Sequence, residues 1–161
     1  MIQYAAKKND HMVKCLILFM YHSGARIQDA AALKFSNFCD LENFTVHLKA
    51  QKTSKRTVTL PEEVYTGVLN YKQTIKGKDE DHVFAGNNNL NGTDALRKRL
   101  KQCFVKSKWE TLQSHDFRVS YVTNAYDAGI ELLKISRAVG HSSIATTQIY
   151  VKDLDQKKAS K

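Results

Sequence analysis

The 161-residue sequence predicts a mainly helical α+β fold with one small antiparallel sheet. Three observations predict it. Apolar residues recur at helical spacing through most of the chain. Residues 45–48 and 57–60 instead alternate between apolar and polar side chains around a polar turn, which is typical of a strand hairpin. No internal repeat or linker divides the sequence, so we expect one domain.

The first helix is expected to begin after Asn9 or Asp10, because either side chain can accept hydrogen bonds from the first-turn N–H groups. Its apolar stripe ends before Gly24, a residue that commonly terminates helices. A second, short helix is expected from about Arg26.

Pro61, followed by two glutamates, is placed in the first turn of a third helix that ends near residue 75, since both residue types are favoured at a helix N-terminus. Residues 82–84 look strand-like, and the Gly/Asn-rich residues 86–89 predict a loop.

A basic amphipathic helix is predicted over residues 93–107. Three further helices are expected at residues 114–129, 131–139 and 142–150, each ended or preceded by a glycine or serine. The charged tail, residues 152–161, is expected to fray.

Composition narrows the class of protein. The chain has 25 Lys and Arg against 16 Asp and Glu, a net charge of +9, which favours nucleic acid as partner. Three scattered cysteines are too few for a disulfide framework or a zinc site. The longest apolar run, residues 15–21, is too short to cross a bilayer, so we expect a cytoplasmic protein, associated with the nucleoid if bacterial.

Most residues with side chains suited to catalysis lie in the last third of the chain. His115 and Arg118 are three residues apart and share a helix face. Gly140-His141 ends a helix, and Tyr150 follows nine residues later. Two histidines, a guanidinium and a phenol that converge would suit attack on a phosphodiester by a tyrosine.

Two further residues complete the pattern: Arg26 in G-A-R-I-Q-D and Lys52 in Q-K-T-S-K-R. The order Arg, Lys, His-x-x-Arg, Gly-His, Tyr resembles the catalytic domain of the tyrosine recombinases, or phage-integrase-type site-specific recombinases. The resemblance covers about residues 10–151 and departs at Val119 and Val139, where many members have a polar residue and a leucine. It implies a helical catalytic domain with a small three-stranded antiparallel sheet.

The resemblance also implies a mechanism, namely cutting and rejoining of DNA through a 3′-phosphotyrosine and a free 5′-hydroxyl, with no ATP, metal or other cofactor. In agreement, the sequence has no P-loop and no carboxylate cluster suited to magnesium. The implied catalytic residues are Arg26, Lys52, His115, Arg118, His141 and Tyr150.

Each residue type fits a role. Arg26 and Arg118 can contact the equatorial phosphate oxygens and stay charged at physiological pH. Tyr150, the nucleophile, needs a base, and His115 is the best candidate. His141 suits a hydrogen-bond donor to the phosphate.

A lysine near DNA can protonate the departing 5′-hydroxyl, and Lys52 matches the motif, with Lys55 as the fallback. Double-stranded DNA is the expected partner, and binding should weaken steeply with salt. The predicted DNA-binding residues are Lys49, Lys55, Arg56, Arg97, Lys98 and Lys101.

We expect residues 1–161 to form one catalytic domain, with its core at 10–151. Family members usually carry an N-terminal helical DNA-clamping domain. We expect this chain to lack that domain and to be a fragment or, less favoured, a naturally minimal enzyme. The short tail predicts a monomer in free solution, and the resemblance implies a homotetramer on DNA.

Alternative interpretations stay open. The same chemistry would serve a type IB topoisomerase or a telomere resolvase, and the same fold could be a DNA-binding excision or regulatory module without strand exchange. Taken singly, each residue also has a structural interpretation: Arg26 could pair with Asp29, and Tyr150 could be a core tyrosine. The coincidence of six in order favours the recombinase.

Overall fold

A computed structural model describes residues 10–48, 56–84 and 92–159, with side chains described to residue 152. Two strands and one 3₁₀ turn (Phe35–Asn37) accompany the helices. In chain order the elements are α1 His11–Ser23, α2 Ile27–Ala31, β1 Thr45–Leu48, β2 Arg56–Thr59, α3 Glu62–Ile75, α4 Thr93–Phe104, α5 Ser114–Asp127, α6 Leu132–Val139 and α7 Ile144–Ala159.

Helix α1 is the centre of the molecule and begins and ends as the sequence predicts. The Asp10 side chain accepts a hydrogen bond from the N–H of Val13 (3.0 Å), which caps the helix. Gly24 ends it in the left-handed conformation, and its N–H donates to the carbonyl of Met20. Most side chains of α1 are buried, so α1 is a core helix with little exposed surface.

The sheet is a hairpin. Strands β1 and β2 are antiparallel, with Thr45 opposite Thr59 and Leu48 opposite Arg56. Among the described residues the sheet has two strands, so the expectation of three strands was wrong. The strand-like residues 82–84 form only an isolated bridge, His82 to Lys34, because the chain turns immediately afterwards.

Two helix ends also differ from the prediction. Helix α4 stops at Phe104 instead of residue 107, because Val105 is extended and Lys106 has a positive φ of 59°. Helix α7 continues past Tyr150 to Ala159, so most of the tail is helical and does not fray as expected.

The buried apolar residues form two clusters. The large cluster takes in α1 to α4, the sheet and Phe117 of α5. The small cluster joins α5, α6 and α7, and its fully buried members are Val122, Ile135, Val139 and Val151. Helix α5 contributes to both clusters and therefore connects them. In the described parts of the chain, no helix is long and apolar enough to cross a membrane.

Candidate active site

A cavity of about 170 Å³ lies where the start of α2 meets the start of α5. Arg26, His115 and Arg118 line it, together with Arg97 from α4. Three of the predicted catalytic side chains therefore share one cleft, and Tyr150 and His141 are next to it.

Arg26 stands at the N-cap of α2, in extended conformation (φ −73°, ψ 151°). Its backbone N–H donates to the Asp29 carboxylate (3.2 Å), which fixes where the helix begins. The ion pair of Asp29 is made with Arg56, at 3.5 Å. The alternative in which Asp29 serves as the salt-bridge partner of Arg26 is thus not the arrangement observed.

Arg118 is 1% exposed, although its guanidinium borders the cavity. Its two terminal nitrogens donate to the carbonyls of Gly24 and Val139, each at 2.7 Å. Burial, and after it the nearby cations Arg26 and Arg56, together lower the pKa of Arg118 to about 10. The side chain stays charged at neutral pH and still has N–H donors for an anion.

Tyr150 lies between the two predicted histidines. Its hydroxyl oxygen is 2.9 Å from Nε2 of His115, within hydrogen-bond distance. Its ring centroid is 5.6 Å from that of His115 and 5.7 Å from that of His141. The phenol and its candidate base are therefore within hydrogen-bond distance of each other.

His141 follows Gly140, which closes α6 in the left-handed conformation. Its Nδ1 lies 2.7 Å from the hydroxyl of Thr147. Burial, and after it the nearby groups Arg118, Arg26, Arg56 and His115, together lower the pKa of His141 to about 4. The imidazole is neutral at pH 7.

Sequence reasoning missed Thr147, which is fully buried and holds the His141 ring. Its spacing was a usable signal, since Thr147 is three residues before Tyr150 and shares a face of α7. Arg97 was predicted to bind DNA but was not placed in the catalytic cleft, because its helix is distant in sequence.

The predicted DNA-binding residues fall into three groups. Arg97, Lys98 and Lys101 are exposed on α4, with the Arg97 side chain 52% exposed and paired with Asp94. Lys49, Lys52 and Lys55 lie outside the described residues, so their roles stay predictions.

Arg56 differs from both groups. Its side chain is 10% exposed, and it donates to the Ala138 carbonyl (2.6 Å) besides pairing with Asp29. Burial lowers the pKa of Arg56, and the Asp29 carboxylate partly offsets the effect. A contact between Arg56 and DNA stays a prediction, but its guanidinium is directed toward protein groups.

Within the ranges that the structure describes, no group of three or more His, Cys, Asp or Glu side chains could hold a metal ion. The expectation that the reaction needs no cofactor is a prediction that this finding does not test.

Comparison with known proteins gives the same family that the motif resembles. The model of the phage integrase family matches residues 1–157. The tyrosine recombinase XerA of Pyrococcus furiosus is 23% identical over 150 residues, which cover 86% of this chain and 49% of that protein. The chain thus spans about half the length of this curated relative.

Solved structures show the same fold. A crystal structure of XerA recombinase superposes with a TM-score of 0.77 at 23% identity, covering 92% of this chain and 55% of that one. XerH site-specific recombinase, bound to palindromic difH substrate in a post-cleavage complex, gives 0.74 at 20% identity and covers 99% of this chain and 48% of that one.

Proposed function

The chain belongs to the phage integrase family, and from this membership we propose that it is the catalytic domain of a site-specific DNA recombinase. The observation that carries the proposal is the hydrogen-bond distance between the Tyr150 hydroxyl and His115, beside a cavity lined by Arg26 and Arg118. A core tyrosine would not need a base and two guanidiniums around its hydroxyl.

The proposed reaction is a transesterification. His115 accepts the phenolic proton while the Tyr150 oxygen forms a bond to phosphorus, and the bond from phosphorus to the 5′-oxygen breaks. Lys52 supplies the proton to the leaving 5′-oxygen. The products are a 3′-phosphotyrosine and a free 5′-hydroxyl, and attack by the 5′-hydroxyl of a second duplex reverses the step.

Arg26, Arg118 and His141 are proposed to stabilise the pentacoordinate phosphate. A neutral imidazole carries one donor and one acceptor nitrogen. If the Thr147 hydroxyl donates to Nδ1, the proton of His141 stays on Nε2, which can donate to a phosphate oxygen. Thr147 is then the residue that selects the useful tautomer.

Double-stranded DNA is the proposed partner, and a solved structure with a similar fold, the Tn1549 transposon integrase, is in complex with transposon right end DNA. The exposed cations Arg97, Lys98 and Lys101 on α4 would contact backbone phosphates, together with Lys49 and Lys55. A homotetramer on DNA formed from free monomers, acting in the cytoplasm and on the nucleoid in a bacterium, is part of the same proposal.

We predict that removing one of these cations lowers the salt dependence of binding. Each phosphate contact contributes about 0.9 to the slope of log K against log salt, so Arg97→Gln should lower the slope by about one. Titration of duplex DNA at several salt concentrations measures this slope, with Lys78→Gln as the control cation outside α4. Equal slopes for the Arg97 and Lys78 variants would show that Arg97 on α4 does not contact the DNA phosphates.

The decisive test is covalent trapping. Duplexes nicked near the cut site and tiled across the ends of the DNA element that encodes this chain are incubated with wild type, Tyr150→Phe and Tyr71→Phe. We expect a DNA-linked band on denaturing gels with wild type and the Tyr71 control, and its complete loss in Tyr150→Phe, because Tyr150 is the proposed nucleophile.

The alternatives give different outcomes. A chain that binds every duplex well and never forms the adduct would be a DNA-binding excision or regulatory module. Adduct formation followed by relaxation of supercoiled DNA without exchange would point to a topoisomerase-like enzyme.

A further inference from the structure

Two arginines hold the C-terminal end of α6. The carbonyl of Ala138 accepts a hydrogen bond from Arg56 (2.6 Å), and the next carbonyl, that of Val139, accepts one from Arg118 (2.7 Å). The last carbonyls of a helix lack intrahelical partners and carry partial negative charge, so two guanidiniums are favourable there. His141 lies two residues after Val139, so the C-terminal end of α6 positions it.

The other side of Arg56 faces the segment of Arg26. Its second terminal nitrogen is 3.5 Å from Asp29, and the same carboxylate oxygen accepts the N–H of Arg26 at 3.2 Å. Asp29 is itself buried. A movement of Arg56 would therefore be transmitted to the N-cap of α2, where the Arg26 side chain leaves the backbone.

Arg56 is also the first residue of β2, four residues after Lys52. It thus belongs to the hairpin that carries one motif residue and bonds to the segments that carry two others. Through these bonds Arg56 joins β2 to both α2 and α6. A planar guanidinium can make two such bonds at once, which a lysine ammonium on one stem does far less well.

The position of Arg56 argues against a direct phosphate contact. Arg118 is also buried and bonded to two carbonyls, but it lines the cavity, whereas Arg56 does not. The two terminal nitrogens of Arg56 are directed at a carboxylate and a carbonyl, and its side chain is only 10% exposed, so little of it is left for DNA. Arg97, at 52% exposed, is the contrasting case.

We propose that Arg56 is a positioning residue for DNA cleavage: it fixes the Arg26 and His141 segments relative to each other and to the hairpin, without contacting DNA. The inference rests on the proposed recombinase function. It assigns to Arg56 an effect on the rate of the chemical step, and none on the number of phosphates neutralised.

The first experiment separates those two effects. The rate of adduct formation on the nicked duplex is measured at saturating DNA for wild type, Arg56→Gln and Arg56→Lys. The salt slope of binding is measured for the same three proteins and for Arg97→Gln. We expect a fall of about 10- to 100-fold in rate for Arg56→Gln, since a misplacement of about 1 Å can cost that much. Arg56→Lys should recover only part of the rate, and the salt slope of both should equal that of wild type.

A salt slope lowered by about one in Arg56→Gln, with an unchanged rate at saturating DNA, would overturn the proposal and make Arg56 a phosphate contact. Melting temperatures of the variants are recorded alongside. If Arg56→Gln does not fold, Arg56→Lys, which keeps the charge but not the fork, gives the same two readouts.

The second experiment needs no DNA and stands even if wild type forms no adduct. Amide hydrogen exchange is followed at Ala30, whose N–H bonds to Arg26, and at His141, whose N–H bonds to Ser136. We expect both amides to exchange faster in Arg56→Gln than in wild type or Lys78→Gln, while the amides in the middle of α3 are unchanged. Exchange at both amides equal to wild type would overturn the positioning role.

Discussion

The two hydrophobic clusters support the two halves of the candidate site very differently. Arg26 and the cation-bearing α4 are attached to the large cluster, which contains the buried apolar side chains of α1 and of both strands. Tyr150 is carried by α7, whose described contacts with the core are in the small cluster of Val122, Ile135, Val139 and Val151. The proposed anion-binding half is therefore backed by far more buried apolar surface than the half that carries the nucleophile.

We expect the two halves of the site to differ in how easily they open. Regions with few buried contacts open locally at lower free energy than the core. Arg118 spans the boundary, because one nitrogen bonds to Gly24 at the end of α1 and the other to Val139 at the end of α6. We infer that the site is preorganised on the arginine side and that α7 is the part most easily displaced.

The largest effect is expected from the large cluster. Phe19→Ala removes a fully buried ring from the centre of α1 and should lower the free energy of unfolding by about 3–5 kcal/mol. Chemical denaturation followed by circular dichroism measures it, and all helices should lose structure in one transition. If α7 lost its helical structure in an earlier, separate transition, the two clusters would be less coupled than their shared helix α5 implies.

A smaller effect is expected from the small cluster. Val151→Ala removes two methyl groups next to the nucleophile, worth about 2 kcal/mol. Hydrogen exchange should speed up in α7 and adduct formation should slow down. The matched control is Val68→Ala in the large cluster, equally buried, which should leave α7 exchange at the wild-type level. Identical exchange patterns for the two variants would show that the molecule has one cooperative unit.

The smallest effect is a pH dependence at the boundary. Because the folded pKa of His141, about 4, is below the ordinary value of 6.5, the unfolded chain binds the proton first as pH falls. The neutral histidine therefore contributes stability that is fully present above pH 6.5 and is lost between pH 6.5 and 4. Melting temperature against pH should fall less steeply in this window for His141→Gln than for wild type. Parallel curves would contradict the depressed pKa.

Local signals in the sequence predicted much of the fold. Asp10 and Gly24 mark the ends of α1 because caps are set by neighbouring backbone groups. The alternation of residues 45–48 predicts β1, since period two is a property of one strand. The expectation of a third strand was wrong because residues 82–84 make one isolated bridge, from His82 to Lys34, and no ladder among the described residues.

The candidate site was predictable to the extent that it is a linear motif. His115, Arg118, His141 and Tyr150 could be named from spacing, and the structure brings them together. The bond from Arg56 to Ala138 joins residues 82 apart in sequence, so no local pattern could have revealed it. Long-range pairs of this kind depend on tertiary packing and need the structure.

Gly24 limits the substitutions that this fold can accept at residue 24. It has a positive φ of 60°, and a Cβ there would come within 2.7 Å of the Tyr121 ring and 3.0 Å of Val139. Both the backbone conformation and the space exclude a side chain at the point where the carbonyl holds Arg118. A single methyl group at residue 24 would therefore push α1, α5 and α6 apart and shift Arg118, the arginine that joins them.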